Sequence, residues 1–471
     1  MASILSIPLE LLVLISSHLT TPELGSLRCT CRQIETSLFD NFAKEFFAKK
    51  QFMLTPLSLQ ALIDISNHPS LSKQVKHVII GTDQYSPAPF VGGLDAVATR
   101  RWQEGYLEQL ALVDSGADSE MLAKAFSNLP NLNTVGIRDF VSRGRPRDGN
   151  AFWSSYGNPT VLQKTGLRMK MSSDYGMYAG NYRGRFASRL FLTLLRALAH
   201  ANRTPPTVEV HLRETQDGVQ DYAFVIPYST PELESVLQGL QSLLLTVNIG
   251  AGAGGSFLVT SPGVHLRKFL RKASNISHLR LNFQDEQHPG DGQRDLFQWL
   301  AKPTGVHPGS TSQTASADED DEPVRLSQLR RLDIGMVHIS LQDLLGVIVK
   351  FATTLEALHL WKVTLSSKST IKENLWVKFF ATLSRIPQLK LKHIFVGAAK
   401  QFCMDSCQRV SFSIPQQKAG MSVELKGQNA LEAAGKIADQ NVIVEWPQPV
   451  VHDDSDSDED MDEDEGDEDD I

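Results

Sequence analysis

Residues 250–255, Gly-Ala-Gly-Ala-Gly-Gly, match G-x-G-x-x-G and follow an apolar stretch holding Leu244, Val247 and Ile249. In a dinucleotide site such glycines let the backbone approach a pyrophosphate, and a helix N-terminus receives its charge. The rest of that site is missing here. Residues 256–260 are β-prone, Pro262 delays any helix, and Asp285, the first acid past the next strand, lies 35 residues beyond Gly250, where about 20 are expected. A flexible loop between Gly250 and Gly255 is the expectation, and a nucleotide-dependent enzyme built on residues 244–285 is the lesser alternative.

The four cysteines offer Cys29-x-Cys31 and Cys403-x3-Cys407. Zinc sites need a second ligand pair of the same kind, and none follows either pair. Cys29 and Cys31 sit two apart on an expected helix and point to different faces, so buried structural thiols are the default. No H-E-x-x-H, G-x-S-x-G or P-loop is present. The expectation is a non-catalytic chain without metal or cofactor.

Residues 141–185 interleave Arg143, Arg145, Arg147, Lys164, Arg168, Lys170, Arg183 and Arg185 with Trp153, Tyr156, Tyr175, Tyr178 and Tyr182. Cations mixed with aromatics can hold single-stranded nucleic acid, but a solvated insertion with aromatic anchors in the core is the expected form, and nucleic acid is not an expected partner. The same loop could bind an acidic or phosphorylated protein, or this chain's own tail. That tail, residues 453–471, holds fourteen Asp and Glu and no Lys or Arg, so the net charge of −8 conceals a body with 46 bases against 40 acids. Such a segment cannot bury enough apolar surface to order itself, and disorder is expected over 451–471. Ser455 and Ser457 each precede an acid by three residues, Asp458 and Asp460, which suits phosphorylation by an acid-directed kinase.

The elements that position these groups begin with three short helices. Leu12, Ile15 and Leu19 fall at i, i+3 and i+7, Pro8 occupies a first turn, and Thr21 reads as an N-cap before Pro22. Leu38, Phe42 and Phe46 mark a third helix. Three helices of this size bury little surface alone and gain stability from a neighbour. A secretory signal is not expected, since no Lys or Arg precedes the apolar run and Pro8 and Glu10 interrupt it. No stretch is long and apolar enough for a membrane span. The low cysteine content suggests an intracellular chain, cytoplasmic or nuclear, in which the sequons at Asn202 and Asn275 are accidental.

The order Ile7-Pro8-Leu9-Glu10-Leu11-Leu12, then Ile15, Leu19, Thr21-Pro22-Glu23-Leu24 and Cys31-Arg32 resembles an F-box. Two departures are Ile7 for the usual leading Leu and the absence of the common late Trp, with Phe39 or Phe42 in its place. The resemblance covers residues 1–48. It implies that Ile7, Pro8, Leu9, Leu12, Ile15, Leu19 and Leu24 contact the Skp-type adaptor of a cullin-RING ubiquitin ligase.

From residue 70 to 400 an L-x-x-L-x-L pattern recurs, at Val75/Val78/Ile80, Leu132/Val135/Ile137, Leu244/Val247/Ile249, Ile276/Leu279/Leu281, Leu329/Leu332/Ile334, Leu355/Leu358/Leu360 and Leu391/Ile394/Val396. A looser strand holds Val208, Val210 and Leu212, and helical stretches separate most copies. This is the strand half of a leucine-rich repeat. The fold class expected is α/β: an F-box, then an irregular leucine-rich-repeat-like solenoid over 49–450 with insertions near 141–185 and 302–323, then the acidic tail. The alternative is an α/β sheet domain whose strands happen to fit. Residues 400–450, with a short helix after Ala430 and a strand at Val442, should cap the open end of the sheet.

The whole resembles fungal-type F-box proteins with degenerate repeats. It implies a substrate-recognition adaptor, with catalysis left to other subunits and an unidentified target held on the solenoid. The alternative from another class is a scaffold that binds basic proteins through the acidic tail.

Overall fold

In a computed structural model, the described residues are 4–446 apart from 88–94, 143, 150, 170, 172–184, 214–217, 227–229, 250–262, 284–290, 305–321, 368–370 and 414–419. The glycine loop at 250–255, most of the insertion at 302–323 and the acidic tail lie outside them. Among the described residues no helix is long and apolar enough to cross a membrane.

Three helices come first: α1 (Leu9–Ser17), α2 (Thr21–Arg28) and α3 (Arg32–Phe47). Pro8 precedes α1, where a missing N–H costs nothing. The cap of α2 is Thr20, one residue before the expected Thr21, because the Glu23 carboxylate accepts from both Thr20 N and Oγ1 at 2.8 Å. Leu12, Leu24, Ile34, Leu38 and Phe46 form the shared interior. Only Ala48 separates α3 from β1 (Lys49–Met53), a strand whose polar start hid it from a hydrophobic-pattern reading.

Helices and strands then alternate: α4 (Pro56–Asn67), β2 (His77–Gly81), α5 (Ala96–Asp114), α6 (Ala117–Ser127), β3 (Thr134–Arg138), α7 (Asn158–Thr165), α8 (Arg185–His200), β4 (Thr207–His211), a two-residue β5 (Val219–Gln220), α9 (Pro231–Gly239), β6 (Ser242–Asn248), α10 (Val264–Lys272), β7 (His278–Phe283), α11 (Asp291–Ala301), β8 (Arg331–Ser340), α12 (Leu341–Lys350), β9 (Ala357–Ser366), α13 (Leu375–Leu383) and β10 (His393–Gly397). The long strands pair in parallel and in chain order, β1-β2-β3-β4-β6-β7-β8-β9, with β10 next to β9. A doubly wound sheet would reverse its order at a switch point. Here each strand lies beside its predecessor, as a coil of stacked repeats requires.

Register explains the repeated pattern. Val78, Val135, Val208, Leu243, Leu279, Leu332, Leu358 and Ile394 align strand by strand in one buried row. Each such side chain contributes roughly 1.5–3 kcal/mol by leaving water. The copy read as Leu244/Val247/Ile249 is four residues late, since the register puts Leu240/Leu243/Leu245 at the repeat positions. Leu243 and Leu245 are buried with the row, and Leu244 points to the other face beside Glu209 and Arg280. The run Leu243-Leu244-Leu245 fits either face by type, and only the pairing decides which of its members enter the row.

Both ends of the parallel sheet are covered. At the N-terminal edge, Tyr156 N donates to Gln51 O at 2.8 Å, and Tyr156 bridges Phe52 in parallel. At the other end β11 (Lys400–Cys403) continues beside β9, and β12 (Ser406–Phe412), β13 (Ser422–Lys426) and β14 (Val442–Val444) pair antiparallel to β11, β10 and β12. The last helix, α14 (Ala430–Gln440), packs on α13.

Candidate functional site

Alternate residues of the strands, the x positions of the repeat, make the polar face of the sheet. Two networks occupy it. In the first, Glu209 accepts from Arg138 Nη2 at 2.8 Å and lies 3.0 and 3.2 Å from the Nε2 atoms of His77 and His211. Burial works to raise the Glu209 pKa, yet the bonds and charges of His211 and His77 hold it well below the ordinary carboxylate range. Burial lowers the pKa of both histidines against the pull of Glu209, and Arg138 adds a permanent positive charge to the network. In the second, Asp333 accepts from Arg331 at 2.8 and 3.0 Å and lies 3.0 Å from His278 Nε2. Burial opposes its ionisation, but His278 and Arg331 bring its pKa down to about 2. From Arg331 the chain of contacts runs through His359 and His393 to Glu424. These histidines belong to no pattern singled out in the sequence. The signal was available, since each lies one residue from an aliphatic strand position. Among the described residues no group of His, Cys, Asp and Glu is arranged to hold a metal ion.

The segment after β3 ties the N-terminal helices to this sheet. Arg147 donates to both oxygens of Glu45 at 2.6 Å, and its Nη1 donates to Ser16 O at 2.9 Å and Leu19 O at 2.7 Å. It thus covers the carbonyl end of α1, where a cation is favoured. Its neighbour Asp148 accepts from Thr21 N at 3.0 Å and Thr21 Oγ1 at 2.7 Å, covering the amide end of α2. Arg145 lies between the rings of Phe46 and Trp153, 3.9 and 4.0 Å from their centroids. The Arg147 side chain is only 7% exposed. The expectation of a solvated insertion is therefore corrected for this part, because helix ends provide oxygen acceptors that a guanidinium fork satisfies better than water. Arg143, Lys170, Tyr175, Tyr178, Tyr182 and Arg183 lie outside the described residues.

The same helices leave an apolar surface open. Leu11, Leu14 and Ile15 are 50%, 56% and 43% exposed and share one face of α1, and Leu9, at the start of the helix, is 50% exposed. Residues 4–38 match the F-box domain.

Of the F-box residues expected to touch an adaptor, Leu9, Pro8 and Ile15 are exposed and Ile7 and Leu19 half-buried. Leu12 and Leu24 face inward at 5% and 3% exposure, where they hold the F-box helices together. The i, i+3, i+7 set mixed two faces, since Leu12 and Ser16 point in and Leu11, Leu14 and Ile15 point out. Cys29 and Cys407 are exposed rather than buried, Cys31 is half-buried, and only Cys403 is enclosed. Ser455 and Ser457 lie outside the described residues.

Beyond the F-box, the leucine-rich repeat-containing protein LegL7 from Legionella pneumophila is similar at 13% identity. It covers 75% of this chain and 90% of its own, with a TM-score of 0.28. The repeat architecture rests on strand order and register. No curated protein matches the chain.

Proposed function

We propose that this protein is a substrate-recognition adaptor of a Skp-cullin-F-box ubiquitin ligase. The F-box would bind a Skp-type adaptor, and through it a cullin, by the apolar face of Leu11, Leu14 and Ile15 with Leu9. The polar face of the solenoid would hold a target protein. The observation that carries this reading is an F-box clamped at two helix ends by Arg147 and Asp148 while its apolar face stays open. A rigid joint suits the role, because it fixes the distance between a bound target and the ubiquitin donor. Ubiquitin transfer itself belongs to other subunits.

Co-purification with a Skp-type adaptor tests this, using the intact chain and a Leu14→Asp, Ile15→Asp double variant. Both positions are exposed, so the variant should fold. Binding that survives moderate salt in the intact chain and disappears in the variant is expected, since the contact is apolar. An intact, folded chain that leaves the adaptor unbound refutes the proposal.

A further inference from the structure

A cleft of about 1130 Å³ opens where the F-box meets β1, β3 and β4. Its lining includes Lys49, Lys50, Arg138, Arg145 and Arg213, against Glu45 as the carboxylate among the described lining residues. Glu45 is already held at both oxygens by Arg147, and Arg138 is paired with Glu209. Among the described residues, Lys49, Lys50, Arg145 and Arg213 have no carboxylate within ion-pair distance. These charges cannot easily disperse. Arg145 is fixed between two rings, Arg213 lies 4.2 Å from the Phe140 ring centroid, and Lys50 Nζ lies 5.2 and 5.4 Å from the Phe47 and Tyr156 ring centroids. Burial, then the Arg145 charge, brings the Lys50 amine down to about 8, and burial with Arg138 lowers Lys49. An anion in the cleft would relieve both.

The chain itself contains a matching anion. We propose that the acidic C-terminal segment, residues 453–471, docks in this cleft with its carboxylates against Lys49, Lys50 and Arg213. Fourteen acids without a base complement the cations of the lining. The length is sufficient. The described chain ends at Trp446, just past β14, and ten strand steps separate β14 from β1, which carries Lys49 and Lys50. At ~4.8 Å per step the span is about 48 Å. An extended chain covers that in roughly 15 residues, which leaves the distal acids at the cleft, and like charges favour extension. Docked there, the tail covers the F-box end of the polar face, so a target using that end would have to displace it. The inference stands whether or not the chain assembles with a cullin.

The test uses the full chain, cross-linked between amines and carboxylates by a zero-length carbodiimide at low salt, with the products mapped by mass spectrometry. A mixture of light and heavy isotope-labelled protein separates links within one molecule from links between two. Expected are links from Lys49 or Lys50 to residues 453–471 within one molecule, lost at high salt. In a second arm all fourteen tail acids are changed to their amides, leaving the cleft's residues intact. With a tethered concentration of ~1 mM and a dissociation constant of ~0.1–1 mM, acetylation of Lys49 and Lys50 should quicken about two- to tenfold while Lys436 is unchanged. Tail links confined to other lysines, links only between molecules, or equal acetylation in both chains would overturn the proposal.

Discussion

Replacing Arg147 by Ala removes four charge-assisted contacts at once, and their settings differ. The Glu45 side chain is about one-third exposed, so water replaces that pair at a cost of about 1 kcal/mol. The Ser16 and Leu19 carbonyls sit at the end of α1 beneath a nearly enclosed guanidinium, and each lost bond to a charged donor costs roughly 1–1.5 kcal/mol. Together these weaken the F-box joint by about 3–4 kcal/mol. The parallel sheet keeps its buried aliphatic row and should be unaffected. Amide hydrogen exchange of the full chain reads the difference residue by residue. Amides of α1 and α2 should exchange about 10²–10³-fold faster in the Arg147→Ala chain, while those of β7 to β9 hold their rates. Arg147→Lys should recover only part, since an ammonium cannot reach Glu45 and two carbonyls as a planar fork does. Unchanged exchange across residues 9–28, or a loss spread evenly over the sheet, would refute the reasoning that this one side chain fixes the F-box.

Two further outcomes follow from buried carboxylates. Glu209→Ala leaves Arg138 without its acceptor in a half-closed setting and should cost about 3–5 kcal/mol in urea unfolding; a loss below about 1 kcal/mol contradicts the network described. Asp83, fully enclosed, has its pKa raised to about 6 by burial, despite bonds donated by Ser155 and Asn158. The folded chain therefore keeps this proton up to pH 6 whereas the unfolded chain releases it near 3.8. The group favours the fold most below pH 4, and that contribution is lost as pH rises through 6, by up to ~3 kcal/mol. The stability gap between the parent and Asp83→Asn should shift by that amount between pH 4 and 7, and a constant gap would exclude the assignment.

What could be read in the sequence was whatever apolar periodicity records. The row from Val78 to Ile394 was legible in all but the β6 frame, because aliphatic pairs spaced by two mark one side of a strand. β1 was hidden, since Lys49 and Lys50 open it and Phe52 and Met53 alone make no pattern. The long α5 escaped for a similar reason, with Arg100, Arg101 and Glu104 crowding its first half. Arg147 could not be assigned in advance. Its partners are backbone oxygens about 130 residues away, and carbonyls carry no mark in a sequence. The inward turn of Leu12 against the outward turn of Leu11 was likewise undecidable within a run of leucines, where neighbouring registers fit almost equally well.

The strand-like contact between Tyr156 and the outer side of β1 has a consequence for behaviour in concentrated solution. A parallel sheet that stops leaves a row of unsatisfied amides and carbonyls, which another molecule can extend. Here one end is closed by antiparallel hairpin strands and the other by the segment that carries Arg147, bonded to Gln51. The segment that anchors the F-box therefore also shields the sheet from growing into its neighbours. Damage to it should appear twice, as a loosened joint and as strand-to-strand self-association, so variants that free the F-box helices through this segment should also be those that aggregate.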